Sequence, residues 1–172
     1  LALTGPSVAD DGQRLLSIDH YVRVKSTVPS IAGPTSQIYV RERAQGSTVT
    51  RGAPSDNVVV FIHGAGTPAE TAFDVPYQDY SWMAYLAEAG FDVFSMDMTG
   101  YGRSTRPPAM NDPCNFPKEQ QAQFVPKLIP APCAPSHPTP ITTMSSDWTD
   151  IGAVVDHLRA SRGVDKVLLV GW

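Results

Sequence analysis

The run Val58-Val59-Val60-Phe61-Ile62 constrains the fold more than any other part of the sequence. Five consecutive β-branched or aromatic residues favour an extended strand. No polar residue marks one face as the wet one, so the run predicts a strand inside a sheet covered on both sides. It stops abruptly at His63-Gly64-Ala65-Gly66. Two later apolar runs behave alike. Phe91–Met96 leads into Asp97-Met98-Thr99-Gly100-Tyr101-Gly102-Arg103-Ser104, and Lys166–Val170 leads into Gly171-Trp172.

The segments between these strands read as helices. Gln78 to Gly90 places Trp82, Tyr85, Leu86 and Ala89 at helical spacing, and Thr143 to Arg162 does the same with Ile151, Val154, Val155 and Leu158. Gly90 and Gly163 mark their ends, and Ser146 or Asp147 is the expected N-cap of the second. Ahead of them, Ser17–Thr27 and Gln37–Arg43 alternate in polarity and predict an antiparallel hairpin, with residues 1–17 a loosely held arm and 44–57 a polar connection. Strands alternating with helices predict an α/β fold of parallel βαβ units following that hairpin. Residues 105–142 differ in kind, because ten of the sixteen prolines fall there. Proline removes backbone donors and disfavours helix and sheet interiors, so this stretch reads as an insertion.

Composition narrows the partners. A net charge of −4 gives no reason to expect a nucleic acid. No apolar run approaches the length of about 18 residues that would span a membrane. No metal-ligand spacing is evident, and no cofactor is expected. Cys114 and Cys133 share the Pro-rich insertion. They form one disulfide in a secreted or periplasmic protein, or stand as free thiols in a cytoplasmic one. The lack of a core pattern around either favours the disulfide, which would close a loop of about 20 residues and stabilise it by about 3 kcal/mol. A chain opening on Leu1 fits a polypeptide that has lost a leader.

In open α/β sheets, ligands bind beyond the carboxyl ends of the strands. The three glycine-bearing segments are expected there, on one rim. Taken in order, Phe61-Ile62-His63-Gly64-Ala65-Gly66, then Asp97–Ser104, then Val167-Leu168-Leu169-Val170-Gly171-Trp172 resemble the α/β-hydrolase fold superfamily. The resemblance covers about residues 18–104 and 143–172 and implies the N-terminal half of the hydrolase sheet, ending at the nucleophile elbow. It implies that the Ala65 backbone N–H serves the oxyanion hole, that His63, Gly64 and Gly66 support that loop, and that the Asp97–Ser104 turn is architectural. Gly171 and Trp172 match the start of the Gly-x-Ser-x-Gly elbow, so the nucleophile is expected as the next residue. Serine, the acid (Asp or Glu) and the histidine are then expected on a separate C-terminal chain, one origin being backbone cleavage at the elbow. Phe73, Tyr77, Tyr80 and Trp82 are candidates for the substrate pocket, with Trp82 equally readable as a core residue. The insertion reads either as part of a lid over the rim or as a surface loop pinned by its two cysteines.

The resemblance implies a carboxylesterase acting on a small-molecule ester through a serine acyl-enzyme. The alternatives are a haloalkane dehalogenase or epoxide hydrolase type with an aspartate nucleophile, and an inactive hydrolase-like binding protein.

Overall fold

The structure is a computed structural model that describes residues 12–52 and 56–171. In chain order the elements are β1 (Leu15–Lys25), β2 (Thr35–Gln45), α1 (Gly46–Arg51), β3 (Val58–Ile62), α2 (Ala69–Phe73), α3 (Trp82–Glu88), β4 (Asp92–Met96), α4 (Lys118–Gln121), α5 (Met144–Arg162) and β5 (Leu168–Gly171). The five strands form a sheet in the order β1-β2-β4-β3-β5. β2 runs antiparallel to β4, whereas β3 runs parallel to both β4 and β5. A hairpin followed by parallel strands is the α/β arrangement the sequence predicts. The described residues form two compact units, one of 12–20, 40–96 and 154–171, the other of 21–39 and 97–153.

In the first unit, β3 is covered on both faces for a visible reason. Alternate side chains leave a strand in opposite directions. Val59 and Phe61 join Val93 of β4 against Ala69 and Phe73 of α2 and Met83 and Ala87 of α3. Phe61 and Phe73 pack ring to ring, 4.8 Å between centroids. On the opposite face, α5 buries Val154 and Leu158, and its Arg162 lies over the Phe94 ring. Each fully buried side chain of this size stabilises the fold by about 1.5–3 kcal/mol.

Three local expectations are corrected. The 44–57 connection holds a short helix, α1. The buried face of α3 is Met83 and Ala87, with Trp82 63% and Tyr85 73% exposed. The cause lies at the helix start: Ser81 caps it by accepting from Ala84 N, while its hydroxyl donates to buried Asp74. That anchor rotates the helix so that positions 83 and 87 meet the sheet. At α5 the cap residue is Thr143, earlier than expected. Its hydroxyl accepts from Ser146 N at 3.2 Å, and the Ser146 hydroxyl accepts from Thr143 N at 2.9 Å, a reciprocal box. The buried stripe of α5 centres on Val154 and Leu158 as its spacing predicts.

In the second unit, the Pro-rich stretch is organised by a polar hub. Cys114 and Cys133 form a disulfide with 5.2 Å between Cα atoms. Buried Gln121 donates to the carbonyls of Cys114, Phe116 and Cys133 and accepts from Cys133 N. One amide thus satisfies the backbone groups that proline-rich chain leaves without sheet or helix partners. Asp150 of α5 is buried and accepts from Thr99 N at 3.0 Å; burial pushes its carboxyl above the ordinary range.

Back in the first unit, a charge cluster ties β1, β2, β4 and α5 together. Arg162 donates to Glu42 at 2.6 Å and to Asp92 at 2.7 Å, and His20 Nε2 lies 2.6 Å from the same Glu42 oxygen. The second oxygen of each buried carboxylate lacks a hydrogen-bond donor. Burial, reinforced by the Glu42 charge, pushes Asp92 up to about 6 against the pull of Arg162. Burial also raises Glu42, but its bonds to His20 and Arg162 outweigh this and hold it below the ordinary range. The folded state therefore binds the Asp92 proton more tightly than the unfolded chain, where the group titrates at about 4. Stability should fall as pH rises from about 4 through about 6. Asp92→Asn, which keeps an acceptor for Arg162, should shrink that falling limb, to which buried Asp150 also contributes, in chemical denaturation followed across this range; a limb unchanged in the variant would contradict the assignment.

Candidate active site

β3 delivers His63 into the interior, where the residue is 2% exposed. Its Nδ1 donates to the Gly64 carbonyl at 2.8 Å. That bond fixes a direction. The Gly64–Ala65 peptide is trans, so its carbonyl and its N–H point to opposite sides. With the carbonyl held by the buried ring, the Ala65 N–H is turned away from it. Ala65 is exposed, and its N–H meets no acceptor among the described residues. Gly66 follows at φ +92°, a conformation that L side chains rarely adopt.

The end of β5 lies beside this loop. β3 and β5 are parallel, with Phe61 opposite Val170 and Ile62 opposite Gly171. Neighbouring strands stand about 4.8 Å apart, so the chain leaving Gly171 emerges next to the chain entering His63. Trp172 lies outside the described residues. A cavity of about 300 Å³ opens at these strand ends, lined by Thr67, Ala72, Phe73, Trp82, Val170 and Gly171. Phe73 thus contributes its ring both to the core and to the cavity wall. Tyr77 is not among the lining residues; it is exposed and packs on Tyr80, 5.7 Å between centroids. Trp82, which the sequence offers both as a pocket residue and as a core residue of its helix, lines the cavity. Its aromatic bulk at a helical core position pointed inward, and only the Ser81–Asp74 anchor turns it towards the cavity.

The Asp97–Ser104 turn belongs to the second unit and is consumed by its own bonds. The Asp97 carboxylate accepts from Arg103 N at 2.9 Å, and the Ser104 hydroxyl donates to the Asp97 carbonyl. Tyr39 N donates to Ser104 Oγ at 2.8 Å, and Arg103 donates to the Tyr39 hydroxyl at the same distance. Gly102 sits at φ +45°, and a Cβ there would come within 1.9 Å of Asp97 Oδ2. These bonds hold the turn in shape.

A sequence model of the alpha/beta hydrolase fold matches residues 57–172. The chain belongs to the alpha/beta hydrolase fold family. Solved structures give likenesses of fold alone. An epoxide hydrolase of Vigna radiata is 17% identical at a TM-score of 0.45, over 89% of this chain and 30% of that one. Brefeldin A esterase, described as a bacterial homologue of human hormone sensitive lipase, is 18% identical at 0.41, over 99% and 34%. Esterase E22 is 10% identical at 0.45, over 92% and 40%. The chain therefore spans between 30% and 40% of the length of these structures. No curated protein matches it in sequence. Among its described residues no helix is long and apolar enough to cross a membrane.

Two glycines of this alpha/beta hydrolase fold chain should respond differently to alanine. Gly66→Ala meets no neighbouring atom and carries only the left-handed backbone cost of about 1–2 kcal/mol. Gly102→Ala adds a collision with Asp97 and should cost about 3 kcal/mol or more. Urea unfolding of the two variants checks the order, and equal losses would contradict it.

Proposed function

We propose that the chain supplies the first oxyanion-hole donor, the Ala65 N–H, to a hydrolase of carboxylic esters acting through a serine acyl-enzyme. The nucleophile is the residue following Trp172, and the acid and the base lie beyond it in polypeptide outside this sequence. The observation that carries the reading is the exposed Ala65 N–H at the end of a buried parallel strand. It is held outward by the His63–Gly64 bond beside the end of β5. A fixed backbone donor serves catalysis when charge develops on a substrate oxygen, because the donor need not reorient as the charge forms. Attack by a serine on an ester carbonyl creates such charge. Phe73 and Trp82 offer an apolar wall for the acyl or alcohol group of a small ester.

The Cys114–Cys133 bond supports an exported, secreted or periplasmic, enzyme, because disulfides persist in oxidising compartments. Protein isolated from its native host should show no titratable thiol after denaturation; two free thiols would overturn the assignment.

The mechanism is tested on the polypeptide that carries this chain together with the sequence following Trp172. A fluorophosphonate should label the residue after Trp172. His63→Ala, which releases the Gly64 carbonyl, should slow both labelling and ester turnover about 10²- to 10³-fold, chiefly in kcat. Turnover unchanged in a folded His63→Ala variant would contradict the role of the loop. An aspartate in that position forming an alkyl-enzyme would assign the protein to the dehalogenase and epoxide hydrolase class. A folded protein with no covalent adduct of either kind would be a binding protein.

A further inference from the structure

We propose that the second unit carries a binding site for a small monocarboxylate with an apolar body, centred on Arg106. The site is a cavity of about 380 Å³, a size suited to a small organic ligand. All of its lining comes from residues 100–142. Met110, Phe116 and Ile141 form its apolar wall, and Phe116 is backed by Phe124, 5.4 Å away ring to ring. Arg106 and Asp112 are its charged members.

Arg106 is held by neutral oxygens alone. Its Nε donates to Asn111 Oδ1 at 2.8 Å, one Nη to the Gly100 carbonyl at 3.1 Å, and the other Nη to the Met110 carbonyl at 3.2 Å. No carboxylate pairs with it among the described residues. A guanidinium has five N–H groups, and three are used here. The remaining two lie one on each Nη, enough donors for the two oxygens of one carboxylate. The three existing bonds also fix the plane of the guanidinium. A ligand then meets a donor pair already oriented, and less freedom is lost on binding.

Asp112 selects among anions. Its carboxylate accepts from the Ser136 hydroxyl and from Cys114 N, and these two bonds hold it below the ordinary carboxylate range. It is therefore negative at neutral pH on the wall of the same cavity. Arg106 offsets one negative charge of a ligand and Asp112 opposes any further one, so a monoanion is favoured over a phosphate or phosphonate dianion. This site is independent of the ester-hydrolase reading, since it uses none of the residues assigned to the oxyanion loop.

The test is calorimetric titration of the full protein with 3-phenylpropionate, 3-phenylpropionamide and phenylphosphonate at pH 8. The carboxylate should bind saturably, and the amide and the dianion at least about tenfold more weakly. Arg106→Gln should weaken the carboxylate to the level of the amide. Ile141→Trp, which fills the cavity and leaves Arg106 in place, should abolish binding of both. Three outcomes would overturn the proposal: no binding of the carboxylate up to about 10 mM, equal binding of acid and amide to the unmodified protein, or wild-type binding in a folded Ile141→Trp variant. The acid–amide comparison needs no variant, so it stands even if Arg106→Gln fails to fold.

Discussion

β3 lies between two parallel neighbours with both of its faces covered, and Val58, Val59, Val60 and Phe61 are each at most 3% exposed. That double burial fixes the rest of the first unit. Helices α2 and α3 must pack on the Phe61 side, and α5 on the Phe94 side. The register is also fixed, since a slip of one residue would exchange every side chain between the two faces. The same constraint explains why the polar cluster of Glu42, Asp92 and Arg162 is tolerated. It joins the strands to α5 where an apolar side chain would leave the Arg162 guanidinium unpaired.

Burial of the strand reaches the candidate site through one side chain. A strand that is apolar throughout cannot present a functional group along its length, so function falls to its end. His63 is the last residue still held by the core, and its ring reaches forward to the Gly64 carbonyl. The rigidity of the core is thus passed to a single peptide plane. The outward N–H of Ala65 is the consequence, and Gly66 continues the chain at φ +92°.

Where burial on one or both faces set the pattern, the sequence was readable. Val58–Ile62 is β3 to the residue, and the Val154–Leu158 stripe is the buried face of α5. The family was legible through the glycine-bearing segments that follow the strands and their order along the chain. Long-range polar contacts were not legible, because they leave no periodic trace. Ser81 meets Asp74 across a seven-residue separation and turns α3, sending Trp82 out to the cavity wall. Arg162 meets Glu42 and Asp92 from 120 and 70 residues away. Gln121 organises the proline-rich stretch, and nothing in its neighbours marks it as a hub.

The central claim concerns a single proton, the amide hydrogen of Ala65. In the polypeptide extended beyond Trp172 and labelled with ¹⁵N, the Ala65 amide can be followed before and after formation of a phosphonyl adduct that mimics the tetrahedral oxyanion. The Ala65 proton should shift far downfield and exchange more slowly with solvent, as it becomes a charge-assisted donor. An Ala65 amide unmoved while other residues report the adduct would contradict the account.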